Sequence, residues 1–160
     1  MRQIIPFLLL TALIMVGCST LDCPLNNTVY TKYKLDGNVK QLTGDTLTIS
    51  TKTNKGVDSI ILNRAENVDS FILPMSYSNP EDILYFEVRD TLKRVFRDTI
   101  TVSKENHTHF ESVDCSPSFF HTITGVKTTH NLIDSVVINK KDVNFDATKA
   151  HFLLYFGTRD

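Results

Sequence analysis

His107-Thr108-His109 is the densest place for chemistry in this chain. A His-x-His step on a strand turns both imidazoles to one face, and Glu111 comes next along that face. Two imidazoles and a carboxylate are ligands of the kind zinc takes. Asp114, His121 and His130 follow in the same part of the chain. None of these spacings is diagnostic of a metal, and the plainer reading is of polar residues near a strand end, with His121 bonded inside a sheet. No cofactor is expected. His107, His109 and Glu111 are the residues a metal site would use.

Other chemistry fares no better. Asp142-Val143-Asn144-Phe145-Asp146 opens like a calcium loop, but Ala147 stands where the turn glycine is needed and Leu153 where the last carboxylate is needed. Val143 and Phe145 read as core residues of a short strand. The chain lacks Gly-x-Ser-x-Gly, a phosphate-cradling glycine loop and His-Glu-x-x-His. Ser116 or Ser118 with His121 and Asp114 can be drawn as a triad, but such residues crowd many loops. The expectation is a protein that is not an enzyme. Phe119 and Phe120 are adjacent, so on a strand their rings point to opposite faces, and an exposed ring could anchor a partner or a sugar.

The cysteines say where the chain works. Arg2, the apolar run Ile4 to Val16 and then Gly17-Cys18 follow the order of a signal peptide. The run is shorter than the roughly 20 residues needed to cross a bilayer. Met15-Val16-Gly17-Cys18 resembles a lipobox. Cleavage after the small Gly17 would free Cys18 to carry lipid, and two or more acyl chains anchor stably at about 0.8 kcal/mol per buried CH₂. Residues 1–17 are therefore read as a lipoprotein signal peptide, 18–26 as an acylated N-terminus with a short tether, and 27–160 as one domain. Cys23 and Cys115 remain as an even pair in an oxidising compartment. A bridge between them would close a long loop, worth about 4–5 kcal/mol in the chain-entropy account. It would also hold the domain close to the membrane.

Charge excludes one class of partner. Seventeen basic residues nearly balance 18 acidic ones in a chain of 160, with no basic cluster, so nucleic acid is not expected. Surface lipoproteins of the kind this chain resembles tend to carry several acidic residues directly after the acylated cysteine; here only Asp22 is acidic, so the expected face is the periplasmic side of an outer membrane.

The elements that must position these residues are strands. Val29 to Leu35 alternates apolar and polar, and Asp36-Gly37-Asn38 turns the chain. Short strands are expected at 39–42, 46–50 and 57–62, with a polar connection of weak helical character over 63–69. Residues 70–75 read as extended, with Pro74 restricting them to an edge. Residues 82–89 are apolar on both faces, which suits a central strand. Further strands are expected at 99–103, 107–113, 119–126, 135–139, 143–146 and 150–156. About eight to ten short strands with regular turn signals predict an all-β protein, a two-sheet antiparallel β-sandwich of possible immunoglobulin-like order, with a barrel as the alternative.

Asp followed by Ser or Thr and an aliphatic residue recurs at Asp45, Asp58, Asp90, Asp98 and Asp134. The plain reading is an aspartate that bonds nearby backbone where a strand opens. The triplet also resembles an O-glycosylation acceptor of exported Bacteroidota proteins, which makes Thr46, Ser59, Thr91, Thr99 and Ser135 candidate acceptors.

The segments Cys23 to Asn27, Phe71 to Met75 and Asp114 to Thr124 resemble small uncharacterised Bacteroidota lipoproteins of a domain-of-unknown-function family. The resemblance spans most of the mature chain. It implies location and architecture and carries no activity. The expected function is a lipid-anchored envelope module that binds or braces an envelope protein. A surface-exposed glycan or ligand binder is the second reading, and a metal-dependent enzyme built on His107 and His109 is the third. Thiol titration of the denatured mature protein should find more free thiol after reduction than before; an identical count would refute the bridge.

Overall fold

A computed structural model describes Cys23, residues 27–53, Gly56 and residues 58–158. Residues 1–17, read above as a signal peptide, and Cys18 lie outside the described residues. Ten strands and no helix occur among those described: β1 (Tyr30–Asp36), β2 (Leu42–Lys52), β3 (Asp58–Val68), β4 (Ser70–Pro74), β5 (Glu81–Arg89), β6 (Val95–His109), β7 (Ser118–Thr128), β8 (Ile133–Ile138), β9 (Asp142–Val143) and β10 (Phe152–Phe156). They form a four-stranded sheet in the order β4-β1-β10-β8 and a six-stranded sheet in the order β3-β2-β5-β6-β7-β9. The expected β-sandwich is what the chain builds. Pro74 ends the edge strand β4, and β5 lies inside its sheet, as read from the sequence.

One pairing departs from the all-antiparallel expectation. β1 and β10 run parallel, with Tyr33 opposite Phe152 and Leu35 opposite Leu154. Parallel neighbours need a long connection, and here nearly the whole domain supplies it. The strand order is also not that of an immunoglobulin constant domain, whose first two strands share a sheet; β1 and β2 lie in different sheets.

Several boundaries differ for local reasons. The expected strands at 39–42 and 46–50 are replaced by one, β2, which starts at Leu42 and passes through an irregular step at Gly44 (φ 78°). The expected connection at 63–69 is instead the continuation of β3, which tolerates positive φ at Arg64 and Asn67 because its register slips against β2. The segments 99–103 and 107–113 are not two strands. A single strand, β6, runs through Lys104 and stops at His109. The polar stretch at 104–106 hid that continuity.

The core is the alternate side chains of both sheets. Tyr33 is fully buried and stacks between Phe71 (5.1 Å) and Phe152 (4.8 Å), and Phe71 tilts against Phe86 of the other sheet at 6.1 Å. Leu35, Leu47, Ile49, Val88, Ile100, Ile123 and Leu154 complete it with almost no exposure. Each such side chain contributes about 1.5–3 kcal/mol of transfer free energy.

Asp98 on β6 organises the passage from one sheet to the other. Its carboxylate accepts from the amides of Thr99 (2.7 Å), Thr129 (3.1 Å), Asn131 (3.0 Å), Leu132 (2.8 Å) and Ile133 (2.8 Å), and from the hydroxyls of Thr128 and Thr129. Burial alone would raise its pKa, but the bonds from Thr129, Ile133, Leu132 and Thr99 outweigh that and hold it at about 2. Asp98→Ala would leave buried amides without an acceptor. Urea unfolding should show a loss of about 3 kcal/mol, whereas the same change at the exposed Asp58 should cost little.

Candidate functional site: a cavity beside the disulfide

The bridge between Cys23 and Cys115 is present, with Cα atoms 5.5 Å apart. Asn27 Nδ2 donates to Ser116 O at 3.3 Å beside it. Next to this staple a half-open cavity of about 880 Å³ enters the end of the sandwich. Its wall includes Asn27, Val29, Met75, Tyr77, Phe119 and His121. The rings of Tyr77 and Phe119 stand 5.3 Å apart, and Tyr77 is 65% exposed.

A polar network closes the floor. Lys104 follows Ile100 and Val102 on the inward side of β6, and its side chain is fully buried. Its ammonium donates to Ser76 O (2.6 Å), Asn79 O and Asn106 Oδ1 (3.0 Å), and lies 3.7 Å from Asp82 Oδ2. Asp82 also accepts from Ser76 N at 3.2 Å. Burial pushes the Lys104 pKa down, opposed by Asp82, and pushes that of Asp82 up, opposed by Lys104. Asn106 Oδ1 meets His121 Nδ1 at 2.8 Å across the β6–β7 pair, and Asn106 Nδ2 donates to Asn79 O at 3.1 Å.

The histidines that lie close in the sequence are divided by the fold, and His121 is bonded inside the sheet to Asn106. His121 faces inward and is 2% exposed. His107 and His109 lie on the outer face. His107 Nε2 is 3.2 Å from Thr122 Oγ1, and His109 Nε2 is 3.1 Å from Glu111 Oε1. Asp114 is exposed beyond β6, and His130 bonds Asp134 O at 2.8 Å in the β7–β8 connection. Among the described residues no three His, Cys, Asp or Glu side chains are grouped to hold a metal. Register and pleating are the reason: His121 pairs with Asn106 and shares its inward face, while His107 and His109 alternate to the outer one.

Phe119 and Phe120 do point to opposite faces. Phe119 lines the cavity, while Phe120 stacks on His109 (4.2 Å) and meets Phe145 edge-on (5.2 Å) outside. Phe145 is 44% exposed and is not the core residue expected; Val143 is. The Asp142–Asp146 stretch is a turn, with Asp146 Oδ1 accepting from Thr148 N and Oγ1 and Asp146 Oδ2 facing Lys140 Nζ.

Lys104, Asp82, Tyr77 and His151 were missed from the sequence. The buried lysine had one signal, its place in the alternation after Ile100 and Val102. His151 had none: it is buried, and its Nδ1 accepts from Lys32 N across 119 residues of chain. Of the candidate glycan acceptors, Ser59, Thr91 and Ser135 are exposed, whereas Thr46 and Thr99 are half-buried on strands.

Burial first, then repulsion from Lys104 and His107, lowers the His121 pKa from 6.5 to about 4. The unfolded chain therefore takes up this proton more readily than the folded one. The contribution is constant above pH 6.5, and stability falls as pH drops from 6.5 towards 4. In urea titrations across that window, His121→Gln should show a shallower slope than the wild type. An unchanged slope would contradict the assignment.

No curated protein and no solved structure matches this chain. A family model matches residues 46–156, from β2 to the end of β10, and by that match the chain belongs to DUF6452, a family of unknown function.

Proposed function

We propose that this protein is a lipid-anchored, non-enzymatic binding module of the bacterial envelope, held by Cys18 on the outer membrane and facing the periplasm. The observation that carries the reading is the Cys23–Cys115 bridge. It joins the domain to the chain five residues after Cys18, and five residues reach at most about 18 Å. The cavity beside the bridge is the working site. The buried Lys104 behind it is spent on carbonyls and Asp82, which supports binding over catalysis. An envelope protein is the partner for the exposed face, with His109, Phe120 and Phe145 as its aromatic centre. The second reading, a glycan binder, is favoured by the ring pair of Tyr77 and Phe119 at the cavity. O-glycosylation at Ser59, Thr91 or Ser135 is compatible with either reading, because these hydroxyls are exposed.

Detergent phase partition of cell envelopes tests the anchor. The wild type should enter the detergent phase, and Cys18→Ser should stay in the aqueous one; equal partition would sink the proposal. Protease added to intact cells should leave the module uncut until lysis. Digestion on intact cells would move it to the outer surface and favour the glycan reading.

A further inference from the structure

The atoms around Asn106 fix the state of His121. Lys104 Nζ can only donate, and Asn79 O can only accept. Asn106 lies between them, so it must turn Oδ1 to Lys104 and Nδ2 to Asn79. His121 Nδ1 then faces an acceptor and carries the ring proton. Nε2 is left with a bare lone pair. It has no partner among the described residues, and it is not sealed off as the orphan Nε2 of His151 is. The ring lines the cavity.

The rest of the wall narrows what such a lone pair can meet. Asp82 is held by Lys104, and Glu81 Oε1 accepts from Ser103 Oγ at 2.9 Å, so one carboxylate is neutralised and the other is turned towards β6. Lys104 has no free hydrogen for an anion, since its three donors go to Ser76, Asn79 and Asn106. Tyr77 and Phe119 offer flat apolar faces at the entrance. Exposed Lys52 and Glu81 add one charge of each sign to the wall, so a hydrogen-bond acceptor, rings and no net charge are the recognition set for a neutral polyhydroxy ring. The volume suits one or two such rings.

We propose that the cavity binds a neutral carbohydrate, with a sugar hydroxyl donating to His121 Nε2 and a sugar face lying on Tyr77 and Phe119. This rests on the reading of the cavity as the working site and names its ligand class.

The test is nitrogen NMR of the His121 ring in the mature protein. Maltose, cellobiose and N-acetylglucosamine serve as neutral probes, glucuronate and glucosamine as charged ones, and decanoate as an acyl probe. At least one neutral sugar should move the Nε2 resonance while the charged sugars and decanoate do not. Its affinity should fall by about tenfold or more in Tyr77→Ala and in His121→Phe, as expected for a lost stacking face or hydrogen bond. Thr122→Ala, on the outer face, should bind as the wild type does. Tyr77 is exposed, so its variant keeps the test valid even where His121→Phe does not fold. A shift caused by decanoate or a charged sugar alone would overturn the ligand class and leave the cavity as a binding site. No shift with any probe would overturn the cavity as the working site, while the anchor stands or falls separately on membrane partition.

Discussion

The carboxylate of Asp98 sits where the chain leaves the six-stranded sheet for the four-stranded one. Amides of Thr129, Asn131, Leu132 and Ile133 converge on it, where β7 has ended and β8 is only beginning. A passage between layers breaks sheet hydrogen bonding, and buried amides left open there cost about 1–3 kcal/mol each. One ionised side chain meets that demand and sets where β8 begins. β8 in turn pairs with β10, and β10 with β1, so the order of the small sheet follows from this corner.

Lys104 presents the opposite problem. A buried ammonium is costly unless its hydrogens are all used. Here the carbonyls of the Ser76 to Asn79 loop close over it, with Asn106 below and Asp82 beside. The loop that carries Tyr77 is thereby held against β6. The same amide side chain, Asn106, passes the constraint to His121. Charge burial at one residue thus shapes both the floor and the rim of the cavity.

The disulfide adds a constraint from outside the sheets. Cys115 is buried while Ser116 and Pro117 around it are exposed, and the preceding loop carries Phe110 and the almost fully exposed Val113. Cross-linking that loop to Cys23 restricts the unfolded chain over a span of 92 residues. It also places Pro117 and Asn27 together at the cavity mouth.

The amino-acid sequence by itself determined that this protein is made of strands, because side-chain alternation is a property of neighbours: Thr31, Tyr33 and Leu35 are buried and Lys32 and Lys34 are less so, as their order required. It also marked the even pair of cysteines, the edge character that Pro74 gives β4, and the opposite faces of Phe119 and Phe120. Local pattern failed where a polar residue took an inward place, as Lys104 did, and where an edge strand ran on through positive φ, as β3 did at Arg64 and Asn67. Only the tertiary structure decided the parallel meeting of β1 with β10, the separation of His121 from His107 and His109, and the cavity itself. Those features depend on partners far apart in the chain, and nothing in a residue's near neighbours encodes which distant amide, carbonyl or ring will meet it.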